Sequence, residues 1–386
     1  MQPPFFVLLD DAVAGQGTLY EHLVHINTIK ANALDTLHEL LQENWQKQWH
    51  SVIWAPYGLG SNIMGLSALS SQAANDKQQQ DDELRIFWFS KKTSLNNNIA
   101  IQTWLQEQYA PEEPAGLMQL ALTQDKNSYI KTIEQVREDI AAGEIYQINY
   151  TTQLQFQAYG SAFRLYQKIR AKQPVPYGVL ACLPPGKSIQ NQLHSQGHNW
   201  TLCFSPELFL DIRQDGSIHT EPMKGTVPAF NDGQNEHRAE TLRADPKNRA
   251  ENIMIVDLLR NDLSKIAVPN GVRVDELFKV AQFGPVLQMT TPIHAQARPD
   301  TKAGDVFNAL FPCGSITGAP KKRSMQLIEQ YETRARGLYT GSIGFLAPCQ
   351  SGLGFYGKLN VVIRTLELTA SVTPPPDGKP SQYTQQ

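Results

Sequence analysis

Lys224 is the residue of this sequence whose surroundings most clearly permit chemistry. It lies in the run Glu-Pro-Met-Lys-Gly-Thr, residues 221–226. Removal from water favours the neutral form of an amine, and a neutral lysine amine can act as a nucleophile. A lysine at the end of a strand can also simply reach solvent, because lysine is seldom buried without a partner. The residue alone leaves both interpretations open.

A second segment, residues 245–262, combines helix signals with several charges. Residues 253–259 are apolar almost all round, which predicts a buried helix. Buried charges must be paired or bind a cation, because an isolated buried charge is very costly. Asp257 and Arg260 are three residues apart and can form an ion pair. Glu251 has no obvious partner, so it is a candidate ligand for Mg²⁺, whose protein sites often use only one or two carboxylates.

Two further segments could hold an anionic ligand. Residues 311–321 are rich in Gly, Ser and Thr. Their backbone N–H groups can approach an anion closely, although an ordinary glycine-rich turn has the same composition. Arg364 lies late in an apolar predicted strand, residues 359–365. Such an arginine is usually paired, and a substrate carboxylate is a natural partner for its planar guanidinium.

The elements that carry these residues alternate irregularly. Residues 208–221 predict a β-hairpin with a tight turn at Asp215 and Gly216. Residues 128–142 predict an amphipathic helix, and residues 145–156 a strand. Because the order is not a regular βαβ alternation, we expect an α+β fold with large antiparallel sheets.

Composition also divides the chain into three regions. Residues 1–115 mix short strands and helices, and we expect a variable N-terminal region there, with a junction at 111–114. Residues 122–368 are expected to form the catalytic region. Residues 369–386 are Pro, Ser, Thr and Gln with few large apolar side chains, which predicts a disordered tail.

Whole-chain properties exclude several classes of protein. The 386 residues carry a net charge of −3, too near neutral to indicate a nucleic-acid partner. The four cysteines are widely spaced without a CxxC pair, which argues against a disulfide framework or a zinc site. The apolar run at residues 5–9 predicts a strand rather than a signal peptide. No apolar run approaches the roughly 20 residues of a membrane span. The cysteine pattern fits a reducing compartment, so we expect a cytoplasmic protein.

Taken in order, the motifs resemble those of the chorismate-utilising enzymes, which include anthranilate, isochorismate, salicylate and aminodeoxychorismate synthases. The resemblance implies an α+β fold whose large antiparallel sheets pack as a sandwich with helices outside. The matching motifs, besides the Lys224 segment, are Gly-Glu-Ile-Tyr-Gln-Ile-Asn at 143–149, Ser-Pro-Glu at 205–207, Ala-Glu-Asn at 250–252, Gly-Ala-Pro-Lys at 318–321 and Ile-Arg-Thr at 363–365.

Within this family, three positions favour the aminodeoxychorismate synthase group. Lys224 stands where anthranilate synthases have alanine, Gln147 where water-adding members have a lysine, and Gln288 where pyruvate-eliminating members have a histidine. The resemblance implies that Lys224 attacks ring carbon 2 of chorismate and expels the hydroxyl of carbon 4. Ammonia then enters at carbon 4 and releases the lysine.

The resemblance also implies the remaining site residues. Glu251 is similar to a Mg²⁺ ligand below the ring carboxylate, and Asn248 stands where some relatives have another glutamate. The implied substrate contacts are Gly225 and Thr226 to the ring carboxylate, Tyr339 and Arg364 to the enolpyruvyl carboxylate, and Ser315 through its hydroxyl.

The resemblance implies a partner and a pathway as well. No cysteine lies in a nucleophile-elbow setting, so we expect ammonia from a separate glutamine amidotransferase, for 4-aminobenzoate and folate synthesis. Two alternatives stay open: anthranilate synthase component I, and a non-catalytic subunit that binds the amidotransferase.

Two departures from the family pattern modify this expectation. Relatives continue past the Ile-Arg-Thr strand into a glycine-rich turn and a glutamate-rich helix that supply a second Mg²⁺ ligand, whereas residues 366–386 contain neither. We therefore expect weakened metal and substrate binding and an impaired activity. Residues 8–11 replace a Leu-Glu-Ser element of tryptophan-regulated relatives, which argues against tryptophan feedback.

Overall fold

The computed structural model describes residues 5–66, 82–185, 198–370 and 382–384. Its strands are β1 (Phe6–Asp11), β2 (Gln16–Ile29), β3 (His50–Ala55), β4 (Leu84–Leu95), β5 (Ala115–Leu122), β6 (Gln147–Ile148), β7 (Leu154–Gly160), β8 (Tyr177–Leu183), β9 (Asn199–Ser205), β10 (Leu208–Ile212), β11 (Ser217–Glu221), β12 (Met223–Pro228), β13 (Ala267–Val274), β14 (Lys279–Phe283), β15 (Val286–Thr290), β16 (Ile293–Ala297), β17 (Gly318–Ala319), β18 (Ser342–Pro348), β19 (Phe355–Asn360), β20 (Thr365–Ala370) and β21 (Gln382–Thr384).

Sixteen of these strands form one antiparallel sheet, in the order β13-β16-β11-β10-β19-β18-β3-β4-β2-β1-β8-β9-β20-β21-β7-β5. The order β12-β15-β14 makes a separate three-stranded sheet, and β17 pairs with β6. The α-helices of the described residues are α1 (Leu37–Trp45), α2 (Tyr57–Ile63), α3 (Asn98–Gln106), α4 (Lys126–Ala141), α5 (Ala162–Lys172), α6 (Asn235–Ala244), α7 (Pro246–Ser264), α8 (Ala303–Leu310) and α9 (Lys321–Tyr331). In that part of the chain no helix combines the length and apolarity needed to cross a bilayer.

The large sheet folds over an apolar interior, as β4 illustrates. Successive side chains of a strand point to opposite faces. Phe87 and Phe89 therefore join a cluster built almost wholly from strand residues, whereas Ile86 and Trp88 join a second cluster packed against α1, α7 and α8. Burial on both faces explains the unbroken apolar run in this strand.

The strand β1 divides in the same way. Val7 points into the strand-built interior, and Leu8 points to a third cluster that includes Phe163 of α5. The interior thus lies between two parts of the sheet, with helices outside each part. The predicted α+β sandwich is confirmed.

The predicted hairpin is also confirmed, and it leads into the strand of Lys224. β10 and β11 pair antiparallel, and Gly216 in the turn has a φ of +81°, which glycine adopts without strain. After Pro222 the chain enters β12, which pairs with β15 rather than with the large sheet. Lys224 therefore lies within a strand of the small sheet, not at the end of the hairpin.

The strand predicted at residues 145–156 is wrong in its extent. The structure has two short strands there, β6 and β7, separated by residues 149–153. These middle residues bond elsewhere, since the Asn149 amide donates to the Thr317 carbonyl and the Thr151 amide donates to the Glu332 carboxylate. The helix predicted before them is confirmed as α4.

The strand predicted at residues 359–365 is broken just before Arg364. β19 ends at Asn360, Arg364 has a φ of +53°, and β20 begins at Thr365 to pair with β9. Arg364 thus occupies a left-handed bend between two strands. Pairing with two different neighbours forces this bend, and no local pattern in the sequence indicates it.

The prediction of a fully buried helix at residues 253–259 is wrong. In α7, Ile255 and Leu259 are buried, but Ile253 is 44% exposed. Asp257 and Arg260 do form the predicted ion pair, at 2.9 Å, but on the solvent side. The helix is amphipathic because only one face packs against the core.

The three predicted regions correspond only partly to the structure. β5, after the predicted junction at 111–114, joins the same large sheet as β1, and the boundary itself stays a prediction. The disordered tail, predicted for residues 369–386, is wrong at its first two residues, because β20 extends to Ala370. It is also wrong at Gln382–Thr384, which pair with β7. Residues 371–381 and 385–386 lie outside the described residues.

Candidate functional site

Lys224 is half-buried and faces the loop after α8. Its Nζ lies 3.3 Å from the carbonyl oxygen of Ser315. The same oxygen accepts a hydrogen bond of 2.8 Å from Nδ2 of Asn149. Ser315 is buried in a short 3₁₀ turn, Gly314–Ile316. Two residues predicted from separate motifs, Lys224 and Ser315, are therefore in direct contact.

Glu207 supplies a buried carboxylate at this site. It is 5% exposed, and its Oε1 has no hydrogen-bond partner among the described residues. Its backbone is fixed where β9 leads into β10, since its amide donates to Ser205 Oγ at 3.2 Å and its carbonyl accepts from the Val361 amide at 3.0 Å. Burial raises the pKa of Glu207, and this effect is opposed first by the Ser315 hydroxyl and then by Lys224.

An amine and a carboxyl group of this kind are suited to nucleophilic and acid–base chemistry. A carboxyl group with a raised pKa keeps its proton to a higher pH than a free carboxyl group and can deliver it to a leaving group. The Lys224 amine, on a strand of the small sheet, can attack an electrophilic carbon when it is neutral. The unpartnered oxygen of Glu207 can still accept a hydrogen bond from a ligand, a water molecule or a reacting group.

Gly225 explains how α7 approaches this strand. Its φ is +90°, and a Cβ at this position would lie 3.0 Å from Oδ1 of Asn248. A larger residue would be strained in its backbone and crowded against the helix. Glu251 lies one turn after Asn248 on the same side of α7, because residues three apart are neighbours on a helix. α7 therefore presents Glu251 on the side that faces β12.

Of the other predicted substrate contacts, Arg364 is the one that interacts with a residue of this centre, Glu207. Thr226 is exposed, and its hydroxyl accepts a 3.5 Å hydrogen bond from Nε2 of Gln288. Tyr339 is half-buried, and burial raises the pKa of its phenol. Arg364 is exposed at its bend. Its guanidinium is nevertheless partly removed from water, which lowers its pKa, while nearby Glu207 opposes that shift; a guanidinium remains charged in either case.

Glu251 is the predicted Mg²⁺ ligand, and its surroundings give limited support for a metal site. Glu251 is about one third exposed, and its Oε1 lies 4.0 Å from Nζ of Lys247. The described residues contain no group of three His, Cys, Asp or Glu side chains that could hold a metal ion. A single carboxylate still fits Mg²⁺, which commonly keeps several waters and takes further oxygens from a substrate.

Sequence reasoning missed three residues at this site. The motif at 205–207 included Glu207 without giving it a role, although a glutamate between two apolar strands is a signal of a buried charge. Asn149 belonged to another motif but was not linked to Ser315. Arg336, which bonds to the loop of Ser315, was given no role, because its link to the site runs through the backbone carbonyls of Ile316 and Asn149, which lie outside its own segment of the chain.

A cavity of about 320 Å³ lies elsewhere, against β1, β8 and β18. Its lining includes Asp11 and Lys358 but none of Lys224, Ser315 and Glu207. The chemistry described above therefore belongs to a different part of the molecule. The expectation about tryptophan rests on residues 8–11, of which Leu9, Asp10 and Asp11 line this cavity, and it stays a prediction.

The comparison with known proteins agrees with this arrangement. The sequence profile of the chorismate binding enzyme family matches residues 28–373. The chain belongs to this family. It is 34% identical over 281 residues to aminodeoxychorismate synthase component 1 of Salmonella typhimurium, covering 72% of this chain and 57% of that protein.

Two further relatives extend the comparison within the chorismate binding enzymes. A 2-amino-4-deoxychorismate synthase of Streptomyces globisporus is 36% identical over 263 residues, covering 67% of this chain and 50% of that protein. The chain thus spans little more than half the length of these relatives. The crystal structure of anthranilate synthase component I from Streptococcus pneumoniae has the same fold, with a TM-score of 0.68 at 21% identity, covering 93% of this chain and 87% of that one.

Proposed function

We propose that this chain is the chorismate-binding component of an aminodeoxychorismate synthase, which converts chorismate and ammonia to 4-amino-4-deoxychorismate. The observation that carries the proposal is the half-buried Lys224 amine, 3.3 Å from the Ser315 carbonyl and beside the buried, incompletely paired Glu207. The relative from Salmonella typhimurium, named for this activity, supports it.

Lys224 and Glu207 have different roles in the proposed reaction. The neutral Lys224 amine forms a bond to ring carbon 2, both conjugated ring double bonds shift by one position, and the hydroxyl of carbon 4 leaves as water with a proton from Glu207. Ammonia then bonds to carbon 4, both double bonds shift back, and the lysine amine is released. Glu207 recovers a proton from the nitrogen that adds, so it acts as an acid and then as a base.

The substrate is a dianion and requires positive charge and N–H donors around it. Arg364 and Tyr339 would hold the enolpyruvyl carboxylate, and Gly225, Thr226 and the Ser315 hydroxyl would contact the ring end. Mg²⁺, when bound, would supply positive charge next to the ring carboxylate. Glu251 is the side chain that would hold it, and the cofactor would then lie beside α7.

The proposal also covers the source of ammonia, the pathway and the cellular compartment. A separate glutamine amidotransferase subunit would supply ammonia, since the name "component 1" of the Salmonella relative indicates a second component. The product would serve 4-aminobenzoate and folate synthesis in the cytoplasm. The impaired activity expected from the sequence is tested by the same assay.

The test is a product assay with chorismate, Mg²⁺ and ammonium, analysed by chromatography against authentic standards. We expect 4-amino-4-deoxychorismate from the wild type and none from Lys224→Ala. Lys91→Ala, a change on the solvent side of β4, is the matched control and should leave the rate unchanged. Full activity of Lys224→Ala with the same product would refute the role of this lysine.

A second candidate is amination at ring carbon 2. It is favoured by the Streptomyces globisporus relative, which is named a 2-amino-4-deoxychorismate synthase, and anthranilate synthase is the corresponding aromatic-product alternative. The position of the amino group, read by NMR of the isolated product, separates these functions. Nitrogen on carbon 2 would replace our proposal with this one.

A further inference from the structure

Arg336 lies behind the site and makes no contact that the proposed reaction uses directly. It is 6% exposed and lies between α9 and Tyr339. Its Nε and Nη2 donate to the two carboxylate oxygens of Glu332, at 2.9 and 2.7 Å. This bidentate pair neutralises the buried guanidinium.

The other N–H groups of Arg336 reach three separate segments. Nη1 donates to the Ile316 carbonyl at 3.0 Å and to Thr340 Oγ1 at 3.2 Å. Nη2 donates to the Asn149 carbonyl at 2.5 Å. A guanidinium has five N–H donors, and with the two bonds to Glu332 all of them are used. Such complete use fixes the positions of the acceptors as well as that of the arginine.

Two of these acceptors flank the partner of Lys224. Ile316 follows Ser315 directly, and Asn149 donates its side-chain amide to the Ser315 carbonyl at 2.8 Å. That carbonyl is the one 3.3 Å from the Lys224 amine. Arg336 therefore holds, through Ile316 and Asn149, the oxygen that orients the lysine.

The third acceptor links Arg336 to the predicted carboxylate-binding turn. Thr340 has a φ of +61°, a conformation that a β-branched residue rarely adopts and that its surroundings must maintain. Tyr339 lies between Arg336 and Thr340, and its amide donates to the Arg336 carbonyl at 3.2 Å. The same arginine thus joins the Lys224 loop to the Tyr339 turn.

We propose that Arg336 is the positioning residue that sets the Ser315 carbonyl, and with it the Lys224 amine, in register with the Tyr339 turn. The kinetic part of this proposal rests on the function proposed above. The structural part does not, because it concerns only the order of the Lys224 side chain.

The test replaces Arg336 by lysine, which keeps a positive charge beside Glu332 but has only three N–H donors. We expect kcat for amination to fall by roughly 100-fold, the size of effect produced by a small misplacement of reacting groups, with a smaller change in KM for chorismate. Acetylation of Lys224, read by mass spectrometry relative to exposed Lys247, should be faster by roughly two- to tenfold, the range of one net hydrogen bond.

The control is Arg298→Lys, since Arg298 also clamps two backbone carbonyls, those of Lys265 and Ala267, away from the site. It should change neither readout. If Arg336→Lys does not fold, Asn149→Ala is tested instead. This substitution removes the other donor to the Ser315 carbonyl and should also accelerate acetylation of Lys224.

Unchanged Lys224 labelling in a folded Arg336→Lys protein, or in Asn149→Ala where the arginine variant does not fold, would overturn the proposal. A wild type that aminates nothing would refute the proposed function instead, and the labelling comparison would still decide the role of Arg336.

Discussion

Two buried carboxylates of this molecule have opposite surroundings. Asp10 on β1 accepts two hydrogen bonds from Arg170, at 2.6 and 3.0 Å, and a third from the Tyr166 hydroxyl at 2.9 Å. Glu207 is buried to a similar degree, yet its Oε1 has no partner among the described residues. Both carboxylate oxygens of Asp10 are paired, as a structural ion pair requires. Glu207 has one oxygen that can still accept a hydrogen bond.

The comparison shows how a structural charge differs from a reactive one. A buried charge is tolerated when its partners replace the water it has lost. An incompletely paired carboxyl group beside an amine costs stability, and such groups persist where a ligand or a reaction uses them. We therefore expect substitutions at the two positions to affect different properties.

Lys224→Ala should produce the largest effect. Removal of the nucleophile is expected to lower the amination rate by roughly 10³-fold or more, with a melting temperature close to that of the wild type because the side chain is only half-buried. Product formation and thermal melting measured on the same preparation check this. Loss of activity that is matched by loss of folded protein would contradict a chemical role.

Asp10→Asn should reduce stability instead. It leaves the Arg170 charge buried without its carboxylate, which costs about 3–5 kcal/mol. Amination measured below the melting range should stay near the wild-type rate. Urea unfolding gives the free energy, and Glu21→Gln, which breaks the more exposed 2.7 Å pair with Lys91, is the control with an expected change below about 1 kcal/mol.

The features near Glu207 differ in how far the sequence predicts them. The hairpin β10–β11 is local, and the turn signal at Asp215 and Gly216 is enough to predict it. The role of Glu207 depends on burial by distant segments that include Ser315. The bend at Arg364 likewise results from pairing between β20 and β9, more than 150 residues apart in the chain.

The predicted site shows the same division. The motif pattern predicted Lys224 and Ser315 as site residues; the structure brings them into contact, and their roles stay predictions. It did not identify Arg336, because the carbonyl groups that this side chain binds carry no side-chain signal. Residue types can therefore indicate reacting groups, whereas the groups that position them follow from the tertiary structure.

Glu207→Gln should act in the opposite sense to Asp10→Asn on stability. Burial raises the pKa of Glu207, so its stabilising contribution is present below the ordinary value of 4.5 and is lost as the pH rises through the folded-state value. The glutamine variant should therefore be more stable than the wild type at pH 7, with a smaller difference at pH 4. Its amination rate should fall by roughly 100-fold, as expected for loss of a general acid.

This comparison is measured by urea unfolding at both pH values. A glutamine variant that is less stable than the wild type at pH 7 would show that Glu207 is structurally paired, like Asp10.

Glu367→Gln, on β20, should have the smallest effect, which concerns the pH dependence of stability. Burial raises its pKa to about 7, and Arg85 opposes the shift. Its contribution to stability is present below the ordinary value of 4.5 and is lost as the pH rises through about 7. Between pH 5 and pH 8 the wild type should lose on the order of 2 kcal/mol more stability than Glu367→Gln. Parallel pH profiles of the two proteins would contradict this.

Trapping of the covalent intermediate tests the central claim most directly. The protein is incubated with chorismate and Mg²⁺ without ammonia, denatured rapidly and digested, and its peptides are analysed by mass spectrometry. Our account predicts an adduct on Lys224 equal to chorismate less one water, which disappears when ammonium is added before denaturation. Turnover to the aminated product with no adduct on Lys224, or with the adduct on another residue, would contradict it.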